Sequence, residues 1–229
     1  MNSSMNHSRR CMRRWTKWSP STSPHSSSDM WRRSIFLTLL SLTLAIAACG
    51  KKASAARAAL AKMNVPFTAA SFVENAHQGK TDLVGIFLDA GMDPDAKVSD
   101  GRTALEAAVL ANQVEVVKLL ITRRADVNTK NRYQGTALMN AVFKGQDETV
   151  RLLLDAGAEI DARDRDGMTA LMYAAWFNQV DLAKLLMERG ADIKVKDQQG
   201  LTALSRAEFK GNLEIARMLV AKGADRGRK

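Results

Sequence analysis

The fold of this 229-residue chain is decided by a stretch that repeats itself. Residues 136–168 read TALMNAVFKGQDETVRLLLDAGAEIDARDRDGM, and the pattern then begins again with the same Thr-Ala-Leu triplet. The triplet occurs four times at steps of 33 residues, beginning at Thr103, Thr136, Thr169 and Thr202. No insertion breaks this register between about residue 66 and residue 225. A fixed period of this length is the signature of a repeat architecture.

Each 33-residue unit predicts two helices separated by a short turn and followed by a loop. The triplet threonine is suited to cap the first helix, because its hydroxyl can accept a hydrogen bond from an unpaired backbone amide. The first helices are predicted to end at Gly or Asn, which tolerate left-handed backbone, at positions 79, 112, 145, 178 and 211. The second helices are predicted to end at Gly91, Gly157, Gly190 and Gly223. Arg124 stands at this position in the second unit, so a left-handed backbone there would be strained.

This pattern resembles the ankyrin repeat family over residues 66–225, in five units. The segments RRADVN at 123–128 and DAGAEID at 155–161 resemble the family's Gly-Ala-Asp-Val-Asn segment. Two departures are present: the usual Thr-Pro-Leu-His is Thr-Ala-Leu-X throughout, and the first unit has Asn75 where later units have alanine. The resemblance implies an all-α repeat solenoid of about five helix-turn-helix units with hairpin loops. We also predict that the protein is monomeric and that it binds a protein partner.

Composition divides the chain into four segments. Residues 1–29 are rich in Ser and Arg, and we interpret them as a disordered extension or a start codon assigned too early. Residues 30–48 are predicted to be a signal peptide, because their apolar run of 15 residues is shorter than the roughly 20 residues of a membrane span. Residues 49–65 are predicted to form a linker and a short alanine-rich helix that caps the solenoid. Residues 66–229 are the repeat domain.

The end of the apolar run, Ile46-Ala47-Ala48-Cys49, resembles the lipobox of bacterial lipoproteins. The resemblance implies cleavage before Cys49 and acylation of this residue, which anchors the protein because each buried CH₂ contributes about 0.8 kcal/mol. Gly50 replaces the aspartate associated with inner-membrane retention, so the resemblance points to the outer membrane, with the repeats facing the periplasm. The alternative is an ordinary signal peptide with an incidental cysteine.

Charge and composition exclude several classes of function. Seven basic residues and one acidic residue give residues 1–48 a charge of +6, whereas residues 49–229 carry only +4. We therefore predict no nucleic-acid partner, since such binding needs a dense basic face. Two cysteines and one histidine beyond residue 48, His77, are too few for a disulfide framework or a zinc site. We predict no catalytic residues, no metal and no cofactor.

A binding surface is the remaining candidate. The resemblance implies that partners meet a concave face, built from the loop tips and the exposed end of each first helix. The predicted contact residues at the helix ends are Phe143, Lys144, Trp176, Phe177, Phe209 and Lys210. Three of these, Phe143, Trp176 and Phe209, are spaced by 33 residues and should align across neighbouring units. Exposed aromatic side chains indicate a binding patch; alternatively, these rings pack between adjacent repeats.

A second set of candidates lies at the predicted loop tips, again at steps of 33 residues. It comprises Lys97, Lys130, Arg163 and Lys196. Such a basic row suits an acidic protein surface, although basic residues can equally serve to solvate the tips. We therefore predict a non-enzymatic protein–protein interaction module, lipid-anchored in the bacterial cell envelope. The alternative is an accessory, immunity or inhibitor protein that regulates an exported enzyme or toxin.

Overall fold

The computed structural model describes residues 50–225, and this part of the chain is all-α, without strands. The first helix, α1, covers residues 50–62. The other helices are α2 (Ala69–His77), α3 (Thr81–Asp89), α4 (Ala104–Leu110), α5 (Val114–Thr122), α6 (Ala137–Phe143), α7 (Asp147–Asp155), α8 (Ala170–Trp176), α9 (Val180–Glu188), α10 (Ala203–Lys210) and α11 (Leu213–Ala221). None of the helices in this part is both long and apolar enough to cross a membrane.

The described residues form two compact parts, of which the smaller comprises residues 50–66 and Asp89–Gly91. α1 is rich in alanine, which has the highest helix propensity. Within this part Lys52 forms an ion pair of 3.2 Å with Asp89, and Arg57 Nε donates a 2.9 Å hydrogen bond to the carbonyl of Ala90. The helix predicted in this segment is present, and its role as a cap stays a prediction.

The larger part, Phe67–Leu88 and residues 92–225, is the predicted solenoid. Five helix pairs, α2/α3 to α10/α11, form repeats 1 to 5, and each repeat is counted with the hairpin loop that precedes its first helix. First helices contact the first helices of the adjacent repeats, and the second helices from α5 onward contact one another in the same way. No repeat of this size buries its apolar face alone, so stacking produces one continuous core. The predicted fold class is confirmed.

Two rows of leucines at the 33-residue step build that core. In the first helices they are Leu105, Leu138, Leu171 and Leu204, each at most 1% exposed. In the second helices they are Leu120, Leu153, Leu186 and Leu219, each fully buried. The fully buried alanines Ala108, Ala141, Ala174 and Ala207 lie on the first helices. Their small side chains allow neighbouring helices to approach closely.

The threonine caps are confirmed in all four predicted units. The hydroxyls of Thr103, Thr136, Thr169 and Thr202 each accept a hydrogen bond, at 3.3–3.4 Å, from the amide three residues later. Repeat 1 has a fifth cap at Thr68, which accepts from the amide of Ser71 at 3.1 Å. This cap lies two residues ahead of the register, because the expected position 70 is an alanine. As a result α2 has nine residues, whereas α4 has seven.

The predicted left-handed positions are also confirmed. The five residues after the first helices, Gly79, Asn112, Gly145, Asn178 and Gly211, have φ between 56° and 73°. The four glycines after the second helices have φ between 88° and 95°, and Arg124 has φ 64°. The backbone at Arg124 is therefore strained, because left-handed backbone brings a side-chain Cβ too close to the following carbonyl oxygen. Sequence reasoning missed Gln134, whose φ is 62°.

Candidate functional site

The predicted aromatic residues lie where the first helices end. Phe143 and Trp176 are the last residues of α6 and α8, Phe177 follows α8, and Phe209 is next to last in α10. Phe143, Phe177 and Phe209 are exposed to 42%, 41% and 76%, whereas Trp176 is half-buried. Three large rings are therefore available to a partner along one edge of repeats 3 to 5.

The rings contact one another across repeat boundaries. Phe143 meets Phe177 edge to face with a centroid distance of 4.8 Å, and meets Tyr173 at 6.5 Å. Trp176 stacks on Phe209 at 5.6 Å with an interplanar angle of 12°. Trp176 and Phe209 thus align as predicted, whereas the ring of Phe143 contacts Tyr173 and Phe177. We call these five residues the aromatic strip.

Cations surround the aromatic strip. The ammonium of Lys144 lies 5.6 Å from the Phe143 ring centroid, and that of Lys210 lies 4.3 Å from the Trp176 centroid. The guanidinium of Arg206 lies 5.1 Å from the same indole. Cations at these distances are attracted to the negative faces of the rings. Lys144 and Lys210, which were predicted to contact a partner, therefore lie directly beside the aromatic strip.

The predicted basic row forms a chain of hydrogen bonds between neighbouring loop tips. The ammonium of Lys97 donates to the carbonyl of Lys130 at 3.2 Å, and Lys130 donates in turn to the carbonyl of Arg163 at 3.3 Å. Arg163 donates to the carbonyl of Lys196 at 2.6 Å. Each of these three cations ties its repeat to the next. Because an ammonium has three donors, both lysines retain hydrogen-bonding capacity for a partner.

Aspartates at the hairpins connect the loops to the first helices. Asp164 Oδ1 accepts hydrogen bonds from the amides of Asp166 and Met168, both at 2.9 Å. Its Oδ2 accepts from the Tyr173 hydroxyl at 2.6 Å. Burial raises the pKa of Tyr173 well above its ordinary value, and the hydrogen bond to Asp164 raises it further.

The next repeat uses the same arrangement with a different donor. Asp197 Oδ1 accepts from the amides of Gln199 and Leu201 at 2.8 and 2.9 Å, while Oδ2 accepts from Arg206 Nε at 2.9 Å. Burial raises the pKa of Asp197, but the backbone donors and the Arg206 guanidinium outweigh burial, so this pKa lies below its ordinary value. Arg206 is thereby positioned beside the aromatic strip.

In repeat 3 the hairpin residue is Asn131, and its amide donates across the repeat boundary to Glu106 Oε1. Asn140 Nδ2 donates to the same oxygen at 3.1 Å. Glu106 is 7% exposed, so the two amides supply the hydrogen bonds that a buried carboxylate requires. The network fixes the position of repeat 3 against repeat 2.

A pocket of about 560 Å³ opens between the hairpins and first helices of repeats 3 and 4. Its walls include Tyr133, Phe143 and Tyr173, and its polar lining includes Asp164 and Asp166. Pockets of this size hold small ligands or single side chains of a partner. The aromatic strip therefore continues into a depression whose charged lining comprises two carboxylates and the guanidinium of Arg165.

A comparison with known protein families identifies the family of this chain. The model described as "Ankyrin repeats (3 copies)" matches residues 42–131, 69–164 and 138–229. The chain belongs to the ankyrin repeat family. Ankyrin repeats are generally a non-enzymatic fold, and membership of the family indicates that this chain is a protein–protein interaction module.

Curated ankyrin-containing relatives match shorter segments of the chain. A protein of Schizosaccharomyces pombe named as ankyrin repeat-containing is 39% identical over 57 residues, 25% of this chain and 28% of that protein. A Treponema pallidum protein with the same description is 36% identical over 78 residues, 34% of this chain and 26% of that protein. The Arabidopsis thaliana E3 ubiquitin-protein ligase KEG is 39% identical over 64 residues, 28% of this chain and 4% of the ligase. The chain thus spans less than a third of each of these proteins.

Sequence reasoning missed several members of this ankyrin face: Tyr133, Tyr173, Asp164, Asp166 and Arg206. Helical spacing could have found Tyr173, which precedes Trp176 by three residues and Phe177 by four and so shares their face. The predicted lipidation site, Cys49, lies outside the described residues. No group of three His, Cys, Asp or Glu side chains between residues 50 and 225 is arranged to hold a metal ion.

Proposed function

We propose that this ankyrin module binds a protein partner through the aromatic strip and the adjacent basic residues. One observation carries the proposal: Phe143, Phe177 and Phe209 are between 41% and 76% exposed on one edge of the solenoid. Large exposed aromatic residues are typical of the few side chains that supply most of the binding energy in an interface. Lys144 and Lys210 flank them and add charge complementarity to an acidic partner.

The fixed arrangement of the side chains in and beside the aromatic strip supports the same proposal. The rings contact one another across repeats, and Arg206, which lies over Trp176, is held by Asp197. Side chains already fixed in the free protein lose little conformational freedom on binding, which preserves more of the binding energy. The strip is therefore a prepared surface that needs little rearrangement to receive a partner.

We further propose that the module is lipid-anchored at Cys49 in the bacterial cell envelope, at the periplasmic side of the outer membrane. The lipobox resemblance at Ile46-Ala47-Ala48-Cys49 supports this assignment. Several acyl chains give a lasting anchor, whereas one gives only reversible attachment. The repeats would then bind partners in the part of the periplasm next to the outer membrane.

The binding proposal is tested by capture from envelope extract. The triple variant Phe143→Ala/Phe177→Ala/Phe209→Ala should lose the captured partner while remaining folded by circular dichroism and urea unfolding. The matched control is Leu213→Ala/Val220→Ala, which removes exposed apolar side chains (62% and 43% exposed) from α11 and should leave capture unchanged. Full capture by the folded triple variant would contradict the proposal. An exported enzyme or toxin as the partner would assign the inhibitor or immunity role.

The anchoring proposal has a separate test. Intact-mass analysis of membrane-extracted protein should find a species that begins at acylated Cys49, and Cys49→Ser should release the protein from the membrane with its repeats still folded. A different mature N-terminus, or an unmodified Cys49, would defeat the lipoprotein assignment without affecting the binding proposal.

A further inference from the structure

One row of exposed residues at the ends of the first helices alternates between a cation and an aromatic ring. Positions 144, 177 and 210, each one repeat apart, hold Lys144, Phe177 and Lys210. We call these three residues the Lys-Phe-Lys row. The helices that lead to them lie side by side, because α8 contacts both α6 and α10. The row therefore crosses three repeats, with a ring at its centre and an ammonium group on either side.

The two ammonium groups of this row are available to an anion. Within the part of the chain that the structure describes, neither Lys144 nor Lys210 forms an ion pair, and each contacts an aromatic ring instead. The acidic residues nearby are already accommodated. Asp147 and Glu214 lie in the first turns of α7 and α11, where backbone amides favour negative charge, and Glu208 has an interaction partner. Both lysines can therefore bind a carboxylate of a partner.

A hydrogen-bond donor of the aromatic strip is also available. The indole N–H of Trp176 donates to no group of the described residues, although its ring is half-buried and stacks on Phe209. Indole N–H groups usually find an acceptor when their rings are buried. The strip therefore favours a ligand that brings a free acceptor, such as a backbone carbonyl without a hydrogen bond in its own segment.

The spacing of the repeats selects the conformation of such a segment. Packed helices lie about 8–10 Å apart, so neighbouring positions of the row are separated by about the same distance. In a polyproline II helix three residues complete one turn and advance about 9 Å, so residues i, i+3 and i+6 share one face and match the repeats. In a β-strand residues i and i+3 point to opposite faces. The polyproline II backbone makes no internal hydrogen bonds, which also suits the indole donor.

We infer that the partner presents a polyproline II segment with acidic residues at positions i and i+6 and an apolar residue at i+3. This inference rests on the proposed function and specifies the chemistry of the partner. The apolar residue packs on Phe177, and the two acidic residues bind Lys144 and Lys210. Aromatic surfaces receive such segments in other interaction domains, because a preformed polyproline II helix loses little entropy on binding.

The test uses the full chain and labelled peptides of matched composition. The probe is fluorescein-Gly-Glu-Pro-Pro-Leu-Pro-Pro-Glu-amide, and fluorescence anisotropy measures its binding. Acidic residues at both ends make it independent of chain direction. A second probe, with Glu-Pro-Pro-Leu-Pro-Glu-Pro after the same labelled glycine, moves one acidic residue out of register, and a third has Gln for both Glu. We expect the first to bind about threefold more tightly than the second and about tenfold more tightly than the third, as loss of one or two exposed charge pairs predicts.

Variants of the row assign these preferences to its residues. Lys144→Gln and Lys210→Gln should each weaken the first probe about threefold, and together they should abolish the preference for Glu over Gln. Lys184→Gln, which removes an exposed lysine from the second helix α9, is the matched control and should change nothing. Phe177→Lys should reverse the preference between leucine and glutamate at position i+3.

Three results would overturn the inference: no saturable binding of the first probe, equal binding of the first and second probes, or a preference for Glu that survives loss of both lysines. Capture of a partner from envelope extract would stand in each case. Failure of the proposed function would appear instead as full capture by the folded triple phenylalanine variant, whatever the peptides show.

Discussion

The hydroxyl of Tyr173 donates a 2.6 Å hydrogen bond to Oδ2 of Asp164, nine residues earlier in the chain. The other carboxylate oxygen of Asp164 accepts two backbone amides of the hairpin. One carboxylate thus closes the hairpin and ties it to the first helix of the same repeat. In repeat 5 Asp197 and Arg206 hold the same two positions, so the link is preserved although the donor changes from a phenol to a guanidinium.

We expect Tyr173→Phe to lower the free energy of unfolding by about 1.5 kcal/mol, the net contribution of a hydrogen bond to a charged group. The ring remains, so its contacts with Phe143 and Phe177 are kept. Urea unfolding followed by circular dichroism measures the difference. Tyr133→Phe is the control, because Tyr133 is 53% exposed, and it should stay within about 0.5 kcal/mol. Equal effects of the two variants would show that the link to Asp164 does not stabilise the fold.

Asp197 gives a pH-dependent prediction. Its pKa is lower in the folded protein than in the unfolded chain, so its ionised form stabilises the fold at pH values above about 3.9, the ordinary pKa of aspartate. This stabilisation is lost as the pH falls through the lower, folded pKa. Asp197→Asn should therefore be less stable than wild type by about 1.5–3 kcal/mol at pH 7.

The difference between the two proteins should shrink as the pH falls below about 4. Urea midpoints at pH 7, 4 and 3 would measure it. A difference that stays constant down to pH 3 would show that the charge of Asp197 does not stabilise the protein.

Arg124→Gly should stabilise the solenoid. Arg124 has φ 64° at the position where four other repeats have glycine, and left-handed backbone costs a residue with a side chain about 1–2 kcal/mol. The greater entropy of glycine in the unfolded chain offsets roughly half of this gain. We therefore expect a higher urea midpoint and an unchanged dependence on urea concentration.

Gly190→Ala is the reciprocal control for Arg124. Gly190 has φ 90°, and no heavy atom lies within 4 Å of an added Cβ, so its loss of stability would come from backbone strain rather than from a clash. If Arg124→Gly leaves the midpoint unchanged while Gly190→Ala lowers it, the loop of repeat 2 does not carry the expected strain.

Thr149→Val should also stabilise the fold. Thr149 is 1% exposed on α7, and its hydroxyl has no hydrogen-bond partner within residues 50–225. Val116, Leu182 and Ile215 occupy the equivalent position in other repeats. Valine has nearly the same shape, so the variant removes an unsatisfied polar group whose burial costs about 1–3 kcal/mol. A thermal midpoint raised by about 2–4 °C per kcal/mol would confirm this, and a lowered midpoint would contradict it.

Phe209→Ala should cost far less stability than Phe87→Ala. Phe209 is 76% exposed and stacks on Trp176, whereas Phe87 is fully buried. Loss of a stacked pair costs about 0.5–1.5 kcal/mol, and truncation of a buried phenylalanine about 3–5 kcal/mol. Chemical unfolding of both variants gives the comparison. A loss above about 3 kcal/mol for Phe209→Ala would show that this ring serves the fold rather than a partner.

Much of the fold could be predicted because its determinants are local and repeat. Thr136 caps the helix that follows it, and Asn112 and Gly145 end helices through their tolerance of left-handed backbone. The strained position of Arg124 was visible from comparison with Gly157 one period later. Such features depend on neighbours within a few residues, so a single sequence is sufficient to locate them.

The candidate site was predicted in part. The period placed Phe143, Trp176 and Phe209 at the ends of first helices, where the structure has them. It did not predict that Phe143 contacts Tyr173 and Phe177, or that Trp176 is half-buried against Phe209. Ring orientation and exposure depend on side chains from the adjacent repeat, which a periodic pattern does not describe.

The sequence by itself determined the repeat, its helix pairs, its caps and its left-handed turns, because each follows from spacing and from the conformational preferences of single residues. Only the tertiary structure decided which groups share the face of the solenoid. It brought Glu106 against Asn131 and Asn140 across a repeat boundary, and it placed Asp166 in a pocket walled by Tyr173. These contacts depend on how one repeat stacks on the next, and their strength comes from the burial and charge that stacking creates.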